Sequence, residues 1–439
     1  MAHAASHWEV AREILKVMCK IQVGRWSRAM IIGVIIAACF ACPAAAKYKV
    51  LYSFCSQANC SDGGAPIVGL TGDGKGNFFG VTDSGGTSEA GAGTIFKLQK
   101  AGKSYNYQVL HTIDCTNSCT EGKHASGELV LDTAGNLYGM MNGGGANSNG
   151  LVFELTAGGQ YHVLHNFCGG GCSDGAGPSS QLSYVGANAN VLYDGAALLY
   201  GAAKFGGVNS SGTAFSVTPD GAVQTLYSFC APSKCKSGGV PQGAVAISGT
   251  GTLYGANFLD AGEQSGGDLW SVGPADVLHH FCGSSPCKDG ARPSSGVFLD
   301  PDSPTLFGTT EMGGAGNYGV AYRLSASGKP YEILHTFCKS GQPCKDGLTP
   351  SSTLYPDGAG GVLGVASGGG NVSQTGTLYR IDLATKKLRV LYSFCRQGLC
   401  ADGANPLGRV VQYGGSIFGV TLSGGSSSSS SGVIYQETP

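Results

Sequence analysis

Fourteen cysteines of this sequence fall in seven close pairs: Cys55/Cys60, Cys115/Cys119, Cys168/Cys172, Cys230/Cys235, Cys282/Cys287, Cys338/Cys344 and Cys395/Cys400. Thiols at such spacing can exchange electrons, bind zinc or form structural disulfides. A structural zinc needs four ligands at ~2.0 to 2.3 Å, whereas pairs carried on neighbouring packed sheets would stand ~10 Å apart. Seven disulfides within seven loops, made in an oxidising compartment, are therefore expected. By loop-closure entropy a ring of about six residues contributes roughly 2 kcal/mol, stiffening the loop more than the fold.

An acid and a glycine follow most second cysteines, as in Asp62-Gly63, Asp174-Gly175, Asp289-Gly290, Asp346-Gly347 and Asp402-Gly403. A rim of such carboxylates would suit Ca²⁺ or sugar hydroxyls. Alternatively, each Asp bonds its own turn while Gly takes the positive φ, and repetition at one position is what turn chemistry predicts. Two units depart from the pattern, with Glu121-Gly122 and Ser237-Gly238. His111, His165, His279 and His335 fill the slot that Tyr52, Tyr227 and Tyr392 fill in other units. Exchange of Tyr with His points to a hydrogen-bonding ring between packed sheets. The fourth unit is the most divergent, and its Glu263, Asp268 and Trp270 complete the candidate rim.

No Gly-x-Ser-x-Gly elbow, His-Glu-x-x-His or Gly-x-x-x-x-Gly-Lys string occurs, so no catalytic, metal-binding or cofactor-binding residue is assigned. The many Gly doublets join strands and open no helix, and so lack the dipole that binds phosphate.

The elements that carry these residues repeat. First cysteines stand at 55, 115, 168, 230, 282, 338 and 395. Each unit holds four short segments, clearest in Leu129-Val-Leu-Asp132, Asn136-Leu-Tyr-Gly139, Gly150-Leu-Val-Phe-Glu-Leu155 and His162-Val-Leu-His-Asn-Phe167. β-Branched and aromatic runs punctuated by Gly, Asn and Asp are strands joined by turns. Seven such units predict an all-β, seven-bladed propeller of four-stranded antiparallel blades.

The chain ends sharpen that expectation. Tyr48-Lys-Val-Leu-Tyr-Ser-Phe54 corresponds to a fourth segment with no first three before it, and Leu407 to Thr438 supplies three segments with no fourth. Joined, they make the seventh blade, a clasp that leaves no open β edge. Alternation of connections then puts the cysteine loops on one face with the Gly-Gly loops, such as Gly85-Gly86 and Gly143-Gly144-Gly145. The opposite face carries tight turns such as Asp132-Thr-Ala-Gly135-Asn136, too short to shape a pocket. A ligand is accordingly expected at the channel mouth on the cysteine-loop face.

Composition agrees with this architecture. Glycine supplies 74 of 439 residues, and charged residues are 13% against a usual ~25%. The 27 basic and 28 acidic residues nearly balance, and no basic stripe marks a nucleic-acid partner. Residues 1–46 read as a signal peptide: Arg25 and Arg28, an apolar run from Met30 to Ala38, then Ala44, Ala45 and Ala46. That run is shorter than the ~20 residues of a membrane span, so residues 47–439 form one domain with no transmembrane span in the mature chain. Ile36-Ala37-Ala38-Cys39 also fits a lipoprotein box, which would make Cys39 a lipid anchor.

Asp174-Gly-Ala-Gly-Pro178, Asn136-Leu-Tyr-Gly139 and Gly93-Thr-Ile-Phe-Lys97 resemble the bacterial tandem repeat called GloVer, found in choice-of-anchor secreted proteins. The resemblance covers residues 48–438. It implies export and surface association, and no particular reaction. The chain ends just after its last strand, so retention at a surface would rest on Cys39. The expected function is a non-catalytic extracytoplasmic binding or scaffold module, secreted, periplasmic or on the cell surface, for a glycan, wall polymer or protein. The alternative is a polysaccharide-active lyase or hydrolase using rim carboxylates as acid and base.

Overall fold

The computed structural model describes residues 47–87, 91–189, 191–230, 238–259, 266–274, 276–427 and 429–439. The predicted signal with Cys39, and also Cys235, Ser237 and Glu263, lie outside them. The described strands form seven separate antiparallel sheets, the blades of a seven-bladed β-propeller. In chain order blade 1 spans residues 71–112, blade 2 123–166, blade 3 176–228, blade 4 239–280, blade 5 297–336, blade 6 348–393 and blade 7 404–438 with 47–53. In blades 2 and 6 the innermost strand is broken into two pieces that both pair with the second strand. No helix among the described residues is long and apolar enough to cross a membrane.

Burial follows position in the blade. Second strands are apolar on both faces because blades cover them on each side: Leu137 to Met141 are all buried. Outer strands meet solvent and alternate over their first residues, as along residues 47–50 and 104–108. The apolar clusters lie between consecutive blades, one joining Phe54, Leu70 and Phe96 to Phe418 and Ile434. A glycine in each second strand faces an aromatic ring of the third: Gly80 with Phe96, Gly139 with Phe153, Gly201 with Phe215, Gly255 with Trp270, Gly308 with Tyr322, Gly364 with Tyr379 and Gly419 with Tyr435. A methyl group at any of these would approach the ring to under 3.0 Å.

Closure is as the sequence implies. Lys47–Ser53 pairs antiparallel with Val433–Thr438, from Lys47 opposite Thr438 to Ser53 opposite Val433.

A second device couples blade to blade. The residue before the Pro of the Asp-Gly-x-x-Pro string has positive φ even where it is β-branched, 60° at Val240 and 52° at Thr349, a conformation costly for such side chains. It turns the N–H toward the preceding blade, where Ser431 accepts from Ala65, Asn149 from Gly177, Ser211 from Val240, Gly266 from Arg292, Tyr318 from Thr349 and Thr375 from Asn405. The following proline then packs on a glycine of that preceding blade, as Pro178 does on Gly150 and Pro406 on Gly376. Blade 2 has Ala125 in place of the proline.

Candidate functional site

The cysteine loops and Gly-doublet loops share one face and are hydrogen-bonded together. Gly86, Gly145, Gly207, Gly314, Gly370 and Gly425 donate their N–H to the carbonyls of Cys60, Cys119, Cys172, Cys287, Cys344 and Cys400 at 2.7 to 2.9 Å. Disulfides join Cys55 to Cys60, Cys115 to Cys119, Cys168 to Cys172, Cys282 to Cys287, Cys338 to Cys344 and Cys395 to Cys400. Cys230 is also disulfide-bonded.

The two repeated polar positions on this face meet each other. Tyr52 donates to Asp62 at 2.6 Å and Tyr392 to Asp402 at 2.6 Å. Nε2 of His165 and of His335 lies 2.8 Å from Asp174 and Asp346, that of His279 3.1 Å from Asp289, and His111 matches Glu121 at 2.8 Å. The same carboxylates accept backbone N–H groups of the cysteine loop, as Asp62 does from Ser56, Asp289 from Cys282 and Asp402 from Arg396. Burial alone would raise the Asp62 and Asp289 carboxyls. The Tyr52 hydroxyl and Ser56 in one case, and His279 and the Cys282 amide in the other, outweigh burial and hold both below the ordinary carboxylate value. Asp62 and Asp402 are fully buried. Each of these acids closes its own turn, while the side chains of Asp174, Asp289 and Asp346 keep 22%, 30% and 28% exposure.

In the fourth blade, Asp268 and Trp270 are core residues, with 0% and 1% exposure, and not rim residues. Trp270 occupies the third-strand slot that holds Phe or Tyr in every other blade. Asp268 stands opposite His280 in the strand pair, where blades 1, 3 and 6 have Thr94/Thr112, Thr213/Ser228 and Thr377/Ser393. His280 Nδ1 lies 2.5 Å from Asp268 Oδ1.

A cavity lies at the turn face, where Asp73, Gly74, Gln412 and Tyr413 line it, and not at the cysteine-loop face. One part of the central channel, about 150 Å³, is lined by residues from all seven blades: Ser and Gly from blades 2 to 7, Ile67 and Val68 from blade 1, together with Glu128 and Arg409. It adjoins the turn-face cavity of about 240 Å³, with which it shares Gln181, Ala244, Thr353 and Arg409. The expectation of short turns on this face fails in blade 3, where Ser183 and Leu199 are separated by a long connection. Its backbone is tied to blade 2, since Tyr193 donates to Leu131 and accepts from Thr133. Asn188 reaches the Ile247 carbonyl of blade 4 at 3.5 Å, and the Tyr184 hydroxyl holds the loop by donating to Val191 O at 2.6 Å. The connection thus roofs one side of the mouth and breaks the ring's repetition. The interval from Cys168 to Cys230, longer than any other, is the sequence signal for it.

Channel-facing charge is equally asymmetric. Three residues after the repeated Pro position, which is Ala125 in blade 2, stand Gly69, Glu128, Gln181, Ala244, Gly296, Thr353 and Arg409, one acid and one base among seven. Glu128 Oε1 accepts from the Gly69 and Arg409 amides at 3.2 and 2.9 Å, bridging blades 2, 1 and 7. The Arg409 guanidinium lies 5.4 Å from the centre of the Tyr355 ring. Burial pushes the Tyr184 hydroxyl up to about 12, with Arg409 pulling the other way.

No curated protein matches the chain. Among solved structures it is similar to TolB from Acinetobacter baumannii, at 11% identity over 73% of this chain and 64% of that one, TM-score 0.41. It is also similar to puromycin hydrolase, at 13% identity over 82% of this chain and 50% of that one, TM-score 0.47. A chain of the nidogen/laminin complex is similar at 12% identity over 68% of this chain and 90% of that one, TM-score 0.39. The model of the Gloeobacter/Verrucomicrobia repeat matches residues 37–196 and 187–435, which together take in nearly every strand of the ring, and the chain belongs to that repeat family.

Proposed function

We propose that this protein is a non-catalytic, exported binding module, secreted or surface-associated, that takes a glycan, a wall polymer or a protein segment at the mouth of its central channel. The observation that carries this reading is the blade-3 connection, which roofs an aromatic-lined cavity where the other blades have short turns. Binding sites gather at such concave, asymmetric mouths. The disulfides support an extracytoplasmic location, with residues 1–46 as the export signal and Cys39 as the lipid anchor if processing occurs there. Intact-mass measurement of the exported protein tests this, by giving the cleavage site and any acyl chain. A screen against surface polysaccharides and secreted proteins tests the binding. A screen without a hit, alongside turnover of any polysaccharide, would overturn the reading.

One observation favours the second reading, a polysaccharide-active lyase or hydrolase. A fully buried Asp268 orients a half-exposed His280, an arrangement suited to a general base. Turnover of a polysaccharide that His280→Ala abolishes, with the fold intact, would establish it.

A further inference from the structure

Resting on the channel-mouth reading, we infer that the ligand is an acidic saccharide whose carboxylate pairs with Arg409. The cavity is walled by Tyr184, Tyr355 and Tyr413, with the amides of Gln181, Asn188 and Gln412 between them. Aromatic faces and side-chain amides are the groups that take the apolar faces and hydroxyls of a sugar ring. The charged groups decide its sign. Asp73, at the cavity edge, is consumed by its own turn: Oδ1 accepts from the Lys75 and Asn77 amides at 2.7 and 3.0 Å, and Oδ2 from the Asn77 side chain at 2.6 Å. Glu128 is held by the two backbone amides described above.

Arg409 differs from both. Its guanidinium has no carboxylate partner among the described residues and lies against Tyr355, within electrostatic reach of Tyr184. A guanidinium that lies against an aromatic ring in a partly desolvated cavity, with no carboxylate partner among the described residues, is a receptor for a planar anion, and carboxylate is the anion that matches its fork. A second cation stands at the rim, since Lys100 Nζ lies 3.0 Å from the Tyr413 hydroxyl and 4.6 Å from its ring centre. The carboxylate of a uronate would reach Arg409 while its ring lies against the tyrosines.

Calorimetric titration with a trisaccharide of galacturonic acid and with the neutral galactose trisaccharide of the same linkage tests this. The uronate is expected to bind about tenfold or more tightly than the neutral sugar, and the difference to shrink in high salt. Arg409→Gln should bring the affinity for the uronate down to that of the same variant for the neutral sugar. Should Arg409→Gln fail to fold, Val191→Asp places a carboxylate on the exposed loop and should weaken the uronate selectively. Equal affinity for the two sugars, or uronate binding insensitive to both variants, overturns the acidic-ligand inference while leaving a saccharide site in place. Binding of neither sugar also overturns it, and the broader reading then stands or falls by the screen.

Discussion

The ring of Tyr48 lies parallel to that of Tyr392, with centroids 3.8 Å apart and planes 9° apart. Tyr48 belongs to the first strand, which completes blade 7, and Tyr392 to the outer strand of blade 6, so the contact packs the closing strand against the preceding blade. The Tyr48 hydroxyl also donates to the Asp402 carbonyl at 2.6 Å. Tyr107 on Tyr52 and Tyr331 on His279 repeat the arrangement at 3.8 and 4.0 Å, each with a hydroxyl on the carbonyl of the clasped Asp.

Tyr48→Ala is therefore expected to lower stability by about 3 kcal/mol, from lost stacking, burial and one hydrogen bond. Tyr48→Phe should cost about 1 kcal/mol. Removing residues 47–53 would bare the edge of Val433–Thr438 and promote association of copies. Denaturant unfolding measures the first two effects, and size-exclusion chromatography the third.

Gly139→Ala would bring a methyl carbon to 2.5 Å from Phe153 Cζ and 2.9 Å from Leu129 Cδ2. Overpacking of this kind is expected to cost about 1–3 kcal/mol. Gly249→Ala, in a turn with nothing within 4 Å, is the control and should be near neutral. Equal unfolding temperatures for the two variants would refute the packing account.

The hydroxyls of Tyr322, Tyr379 and Tyr435 are buried with no hydrogen-bond partner among the described residues, in the slot that blades 1 to 3 fill with Phe96, Phe153 and Phe215. Tyr379→Phe removes an unsatisfied group and is expected to be neutral or to raise stability by about 1 kcal/mol. Thermal unfolding of the single variant decides this.

Glu437 is buried beside the closing strand with 1% exposure. Burial pushes its carboxyl up to about 7, against a downward pull from Arg396. A raised carboxyl gives stability that is complete below its unfolded value and is lost as pH rises through the folded one. Glu437→Gln should therefore unfold at a higher temperature than the parent at about pH 8 and show no gain at about pH 4. Asp62 and Asp289 act in the opposite sense. Held low by their partners, they contribute stability above the unfolded value that is lost on acidification. A pH series of melts on the parent, Asp289→Asn and Glu437→Gln separates the two.

Reduction of the six described disulfides should loosen the cysteine loops and spare the sheets. Each closes a ring only 4 to 6 residues in sequence separation, worth roughly 2 kcal/mol. Hydrogen exchange after reduction should rise in residues 55–60 and 395–400 first, with strand amides still protected.

Read alone, the sequence determined the blade count, the disulfide pairs, the two faces and the clasp by Lys47–Ser53, because each depends on local spacing repeated seven times. It also separated the slot of Tyr52 and His165 from that of Asp62 and Asp174, without showing that the two meet. That meeting needs the cysteine loop to fold back on its own strand, a contact no periodicity encodes. Trp270 looked like a rim residue for being unlike its counterparts, yet the space beside Gly255 makes it core. The cavity and Arg409 were decided by tertiary structure alone: seven inner strands converge only when the ring closes, and only then does one base among seven positions face a common space.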